Sequence, residues 1–231
     1  MQQNHTGESM KRILLLSMAV ALAACGKAST ALERNRGGSG SGTLSVDARI
    51  EQSSSSSGST TFDLDLKDGA GAAVSGATVV IYNDPFGNVT LPEQAGNPGR
   101  YRASMSAVSG GDFGLDVSHP SKGSVTGVVV GNPGMHIINA PMAGVAVPSG
   151  QPLQISWSTP ATAYSASIET KNFGPVQAPD TGTYSIPGTS NPIENAQRLD
   201  VKRENVVNIS GGTIGSQLSL TSKVSVTFPV Q

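Results

Sequence analysis

The chain has 231 residues, 37% apolar, 4% aromatic and 13% charged, with 28 glycines and a net charge of −1. That length accommodates one large domain or two small β domains behind a targeting segment. The near-neutral balance excludes a polybasic surface for nucleic acid or lipid headgroups.

Residues 1–9 are polar and precede a better start at Met10. Met10-Lys11-Arg12 opens a short basic region, and Ile13 to Ala24 follows as twelve residues without a charge. A span of the hydrocarbon core takes about 20 apolar residues, so this run fits the apolar region of a secretion signal instead. A buried start of a cytoplasmic helix is the alternative, but no amphipathic period or cap surrounds the run. Leu22-Ala23-Ala24-Cys25 then resembles the lipobox of bacterial lipoproteins. The resemblance implies a signal peptide over residues 1–24, cleavage before Cys25, and a lipidated Cys25 as the mature N terminus. Such proteins carry two or three acyl chains, palmitate among them. At about 0.8 kcal/mol per buried CH₂, two chains anchor a protein stably where one does not. In that family Asp after the cysteine marks inner-membrane retention, so Gly26 implies an outer-membrane location in a Gram-negative cell. The lipobox also explains why the chain has one cysteine, since packing without disulfides must hold the exported part. Without Glu8, Lys11 and Arg12 the mature chain keeps 13 basic and 15 acidic residues, a net −2.

Residues 25–42 contain Gly-Gly-Ser-Gly-Ser-Gly and no apolar period, the composition of a flexible linker. From Thr43 the pattern changes. Leu44, Val46, Ala48 and Ile50 alternate with polar residues, as do Phe62, Leu64 and Leu66, which predicts two half-buried strands. Ser53 to Ser57, with Gly58, reads as the hairpin loop between them. Further strands are predicted at Ala77–Tyr82, Val89–Leu91, Tyr101–Met105, Phe113–Val117 and Ser124–Val130, separated by Gly, Pro, Asn and Asp clusters. No segment carries a helical period. Asp68-Gly69, Val74-Ser75-Gly76-Ala77-Thr78-Val79 and Gly99-Arg100-Tyr101 together resemble bacterial Ig-like and carboxypeptidase-regulatory-like modules.

Gly131-Asn132-Pro133-Gly134 is a turn, and a second domain begins after it. Val145 to Trp157 resembles the opening of an Ig-like or fibronectin-III-like sandwich, with Trp157 placed to fill its core. Later strands are predicted at Ala166–Glu169, Thr183–Ile186, Arg198–Ile209 and Gln217–Phe228. The apolar alternation of the last one skips at Ser222, which reads as a bulge or bend. The fold class is therefore all-β: two tandem Ig-like antiparallel β-sandwiches over residues 43–139 and 140–231, behind the signal and linker.

Chemistry is sparse. His5 precedes the cleavage point, and His119 and His136 lack the paired Cys or His spacing of a zinc site, so no metal is assigned. His119, before Pro120, reads as a solvated loop residue. Asp63, Asp65 and Asp68, with Asp112 and Asp116, are few for the six to eight oxygens of a calcium site and read as solvated faces. No Gly-x-Ser-x-Gly elbow or phosphate loop is present, and Ser109 beside Gly110-Gly111 reads as a turn. Phe86 and Phe173, each in a turn-like segment, are the best candidates for exposed binding aromatics. The reading is a non-catalytic envelope lipoprotein with a structural, adhesive or assembly role and no cofactor. Its partners are a membrane, through lipid on Cys25, and an envelope protein or glycan, with no nucleic acid. A carbohydrate- or peptidoglycan-binding module is the alternative, and a hydrolase the least favoured class.

Overall fold

The computed structural model describes residues 34–54, 58–108 and 110–231. The signal peptide and Cys25 lie outside the described residues. Alternation builds β2 (Leu44–Ser53) and β3 (Ser59–Asp68), whose inward residues Leu44, Val46, Ile50, Phe62, Leu64 and Leu66 are at most 1% exposed. The two pair antiparallel from Leu44↔Asp68 to Ser53↔Ser59; Ser55, Ser56 and Ser57 of the expected loop lie outside the described residues.

These strands belong to a seven-stranded sheet. Its order is β12 (Phe173–Ala178), β11 (Ser165–Thr170), β14 (Glu194–Asn208), β15 (Gln217–Val230), β2, β3 and β6 (Arg100–Ser106). All its neighbours are antiparallel except β15 and β2, which run parallel from Gln217↔Asp47 to Lys223↔Ser53. Two smaller antiparallel sheets pack against it. One has the order β1 (Arg36–Gly40), β8 (Gly123–Val130), β7 (Phe113–His119), β4 (Thr78–Asn83) and β5 (Gly87–Thr90). The other has β13 (Thr183–Ile186), β10 (Leu153–Trp157) and β9 (Ile138–Ala140). One 3₁₀ turn, Gly188–Ser190, interrupts the strands between β13 and β14. The fold is all-β, in sandwich layers.

Two apolar cores result. The first joins Val79, Ile81, Phe113, Leu115 and Val128 of the five-stranded sheet to Leu44, Phe62 and Leu220 of the large one. The second joins Leu153, Ile155, Trp157 and Ile186 to Ile168, Leu199, Val201 and Phe228. The division expected at 139/140 falls inside β9, and one element crosses it: the β14–β15 hairpin completes both cores. From Gln197↔Phe228 to Asn208↔Gln217 the hairpin keeps one register. Leu199, Val201 and Phe228 therefore face the second core from the same side that carries Val207, Leu218 and Leu220 into the first.

The structure corrects three sequence expectations. The glycine-rich stretch inside the 25–42 linker is not loose throughout, because Arg36–Gly40 forms β1 and pairs with β8. Its glycines are there for close approach: a Cβ at Gly37 would lie 2.6 Å from the Asn208 carbonyl oxygen, and one at Gly40 2.5 Å from that of Gly211. At Ser222 there is no bulge. Ser222 pairs with Arg203 in unbroken register and points inward, the skipped apolar position being a buried polar one. Phe173 does not sit in a turn but opens β12, a strand the sequence pattern had hidden behind Gly174-Pro175.

The loop that suggested an Ig-like module is tied together by its own motif residues. The Tyr101 hydroxyl accepts from Ala77 N at 2.9 Å and donates to the Val74 carbonyl at 3.1 Å. Glu93 accepts from Gly76 N and Gly99 N, at 3.0 and 2.7 Å, and these bonds hold its carboxyl below the ordinary carboxylate value.

Candidate functional site

Along the inner face of the large sheet one cross-strand row is polar. Arg203 stands opposite Ser222, Ser222 opposite Gln52, and Gln52 opposite Thr60. All four are 0% exposed. The row runs between the two apolar cores, and two coil stretches lie over it, one at Val108 and the other at 131–137.

Arg203 is the centre of this joint. Its Nη2 donates to Asp180 Oδ2 at 2.6 Å and its Nε to Oδ1 at 2.9 Å, a two-point ion pair. Its Nη1 donates to the Pro133 carbonyl at 2.6 Å, and its Nη2 also to the Ala161 carbonyl. Asp180 receives a further bond from Trp157 Nε1 at 2.9 Å. Burial pushes the Asp180 carboxyl up, but the hydrogen bonds from Arg203 and Trp157 outweigh it and leave the group below its ordinary value. Two residues along β14, Asn205 donates to the Gly131 and Thr162 carbonyls at 2.8 and 3.2 Å and accepts from Tyr164 N at 2.8 Å.

His136 covers the middle of the row. Its Nε2 lies 3.2 Å from the Val201 carbonyl, which can only accept, so Nε2 carries the hydrogen. Nδ1, 3.1 Å from Ser222 Oγ, is then the acceptor. The ring is 4% exposed, and burial together with the nearby Arg203 guanidinium lowers its pKa from 6.5 to about 4. At the other end of the row Gln52 Nε2 donates to the Val108 carbonyl at 2.8 Å, and Thr60 Oγ1 accepts from Val108 N at 3.3 Å. Asn132 N, in the 131–137 stretch, donates to Asp112 Oδ1 at 3.1 Å.

This arrangement binds parts of the chain to one another. Arg203 has no lone pair to act as a base, and both ring nitrogens of His136 are engaged within the fold. The cluster is built as a clamp: β14, the inter-sandwich coil, the 158–164 loop and the Asp180 turn all end on one guanidinium.

The residues singled out from sequence are placed elsewhere. Phe86 is half-buried on the first core, its ring centroid 6.2 Å from Phe62 and 5.8 Å from Phe113. Phe173 packs on the second core, 6.0 Å from Tyr184. Neither stands free in solvent as expected; the exposed aromatic is Tyr164, at 76%. Asp63 pairs with Arg100 at 2.6 Å, Asp112 with Arg34 at 3.1 Å, and Asp116 accepts from Gly127 N at 2.7 Å. Asp68 accepts from Ala70 N, Ala72 N and Lys122 Nζ, each at 3.0 to 3.1 Å. No group of three or more His, Cys, Asp or Glu suited to a metal occurs among the described residues. His119 is not simply solvated: its Nδ1 accepts from Ser121 N and Lys122 N at 3.2 and 3.1 Å and orders that turn. A groove of about 280 Å³ runs past Glu169, Lys171, Arg198 and Asp200, but Lys171 pairs there with Glu194 and Arg198 with Asp200. Among the described residues no helix is long and apolar enough to cross a membrane.

No family model and no curated protein matches this sequence. Among solved structures, the fibronectin(III)-like modules of CbhA from Clostridium thermocellum are similar over 81% of this chain and 94% of that one, with 12% identity and a TM-score of 0.30. The adhesin InvE of Yersinia pseudotuberculosis is similar over 81% of this chain, with 13% identity and a TM-score of 0.27, and this chain spans 60% of its length.

Proposed function

We propose that this chain is a non-catalytic envelope lipoprotein, anchored in the outer membrane by lipid on Cys25, whose sandwiches act together as a stiff structural or adhesive spacer. The observation that carries the reading is the joint. Tandem domains move relative to one another unless a substantial interface prevents it. Here a shared sheet runs through both cores, and Arg203, with both nitrogen arms engaged, locks the coil between them. A spacer needs that stiffness, whereas a catalytic centre needs a reactive group open to substrate. The buried ionisable groups at the joint are committed to internal bonds. Phe86 and Phe173 are each partly buried against a core, which favours a packing role over a carbohydrate-binding platform.

Membrane fractionation of Cys25→Ala in the native host tests the anchor. The expected result is loss of signal cleavage and release from the membrane fraction. Cleavage and membrane association unchanged from the parent would sink the lipoprotein reading.

A further inference from the structure

β1 is unlike the other strands. Its sequence is Arg-Gly-Gly-Ser-Gly, and none of its residues is buried. It contributes no side chain to either core. It lies between two backbones. On one side it pairs with β8, from Arg36↔Val129 to Gly40↔Val125. On the other, Ser210 N donates to the Gly37 carbonyl at 2.9 Å, and just past the strand Gly42 N donates to the Gly211 carbonyl at 3.0 Å.

The slot so formed reads for glycine. A Cβ on Gly37 would lie 2.6 Å from Asn208 O, one on Gly38 would lie 2.8 Å from Val128 Cγ2, and one on Gly40 would lie 2.5 Å from Gly211 O. Gly38 also holds φ +69°, a backbone state side chains disfavour. Opposite, a Cβ on Gly211 would overlap the Ser39 and Gly40 backbones, so the close approach requires glycine on both sides. The ends add recognition. Arg34 pairs with Asp112 at 3.1 Å, Asn35 Oδ1 accepts from Gly131 N at 2.7 Å, and Ser41 N donates to the Ser124 carbonyl at 2.9 Å.

We propose that this slot is an assembly site for a second copy of this chain, filled by the partner copy's residues 34–42 through exchange of β1. The slot's demand for Gly-Gly-x-Gly with those end contacts selects this segment over other strands. Exchange leaves the contacts of β1 identical in kind, so its cost lies in association and in the bonds of the hinge. The hinge is three residues, Ser41-Gly42-Thr43, which carry the chain from one sheet to the other. Gly42, at φ +71° with no atom within 4 Å of its missing Cβ, gives up one hydrogen bond, to the Gly211 carbonyl, when the hinge straightens. No core residue has to leave the interior when β1 does. The proposal concerns this segment alone and stands whether or not Cys25 carries lipid.

Two full-length variants test it, both carrying Cys25→Ser: one with Ser39→Cys, the other with Thr126→Cys. Ser39 and Thr126 are exposed and directly opposite across β1 and β8. Neither variant can close a disulfide within one copy. The two are mixed at high concentration and oxidised with glutathione disulfide. Exchange predicts a disulfide between unlike copies in at least tenfold excess over like pairs. The excess should vanish when Gly38→Val is added to the Ser39→Cys copy, whose β1 then no longer fits the slot of the other copy. Unlike pairs at only their statistical share, or an excess that survives Gly38→Val, would overturn the proposal.

Discussion

Arg203 and Asp180 face each other out of solvent, 0% and 4% exposed, with Nη2 and Oδ2 2.6 Å apart. The other ion pairs among the described residues each keep at least one side chain more than 20% exposed. Exposed pairs of that kind contribute little to stability, while removing one partner of a buried pair leaves a charge with neither water nor counter-ion.

Asp180→Ala should therefore lower stability by about 3–5 kcal/mol, read as a shift of the urea midpoint at unchanged slope. Replacing both partners, Arg203→Met with Asp180→Ala, should cost less than the two single changes summed, because no unpaired charge remains. Additive losses would show that the two groups do not act as a pair.

Stability should fall on mild acidification because of His136. The unfolded chain takes up a proton near pH 6.5, whereas the folded ring resists until about pH 4. Between those values the unfolded state binds more protons, so stability decreases as pH drops through the window and the loss levels off below it. At 1.36 kcal/mol per pH unit the full loss is about 3 kcal/mol. Asp180 acts lower: its depressed folded pKa gives stability that is lost only as pH falls below the ordinary carboxylate value. Urea midpoints for the parent and His136→Gln across pH 7 to 4 separate the two, and the variant should lose the slope above pH 4. A slope that persists in His136→Gln would assign it to another group.

Phe86→Ala should destabilise the first sandwich by about 2–3 kcal/mol, less than a fully buried Phe, since the ring contacts Phe62 and Phe113 but remains half-exposed. Phe86→Leu should recover most of that loss in thermal unfolding. A Phe86→Ala midpoint equal to the parent's would return this residue to the surface role that the sequence suggested.

Much of the fold was legible because one-sided burial writes a period of two into a strand. Leu44 to Ile50, Phe62 to Leu66 and the turn clusters between later strands marked their elements directly, and Trp157 indeed fills the second core, 3% exposed. β1 was not legible that way, since a strand whose glycines serve to bring two backbones together has no side-chain period. β12 opens Phe-Gly-Pro, which reads as a turn until its pairing with β11 is known. The joint left a trace in Leu199-x-Val201-x-Arg203-x-Asn205-x-Val207, where two polar residues occupy the apolar phase of β14. Ser222 left the matching trace in β15.

By itself the sequence determined the all-β class, the hairpin around the serine run, and the two apolar populations that became two cores. Those follow from local alternation and turn chemistry, which neighbours along the chain decide. Only the tertiary structure decided that Arg203, 23 residues from Asp180 and 70 from Pro133, would bind both. It also decided that one hairpin would serve both cores, and that a glycine stretch with the composition of a linker would become a strand. Each depends on what lies across the sheet or over it, and pairings between distant segments leave no period in the chain that carries them.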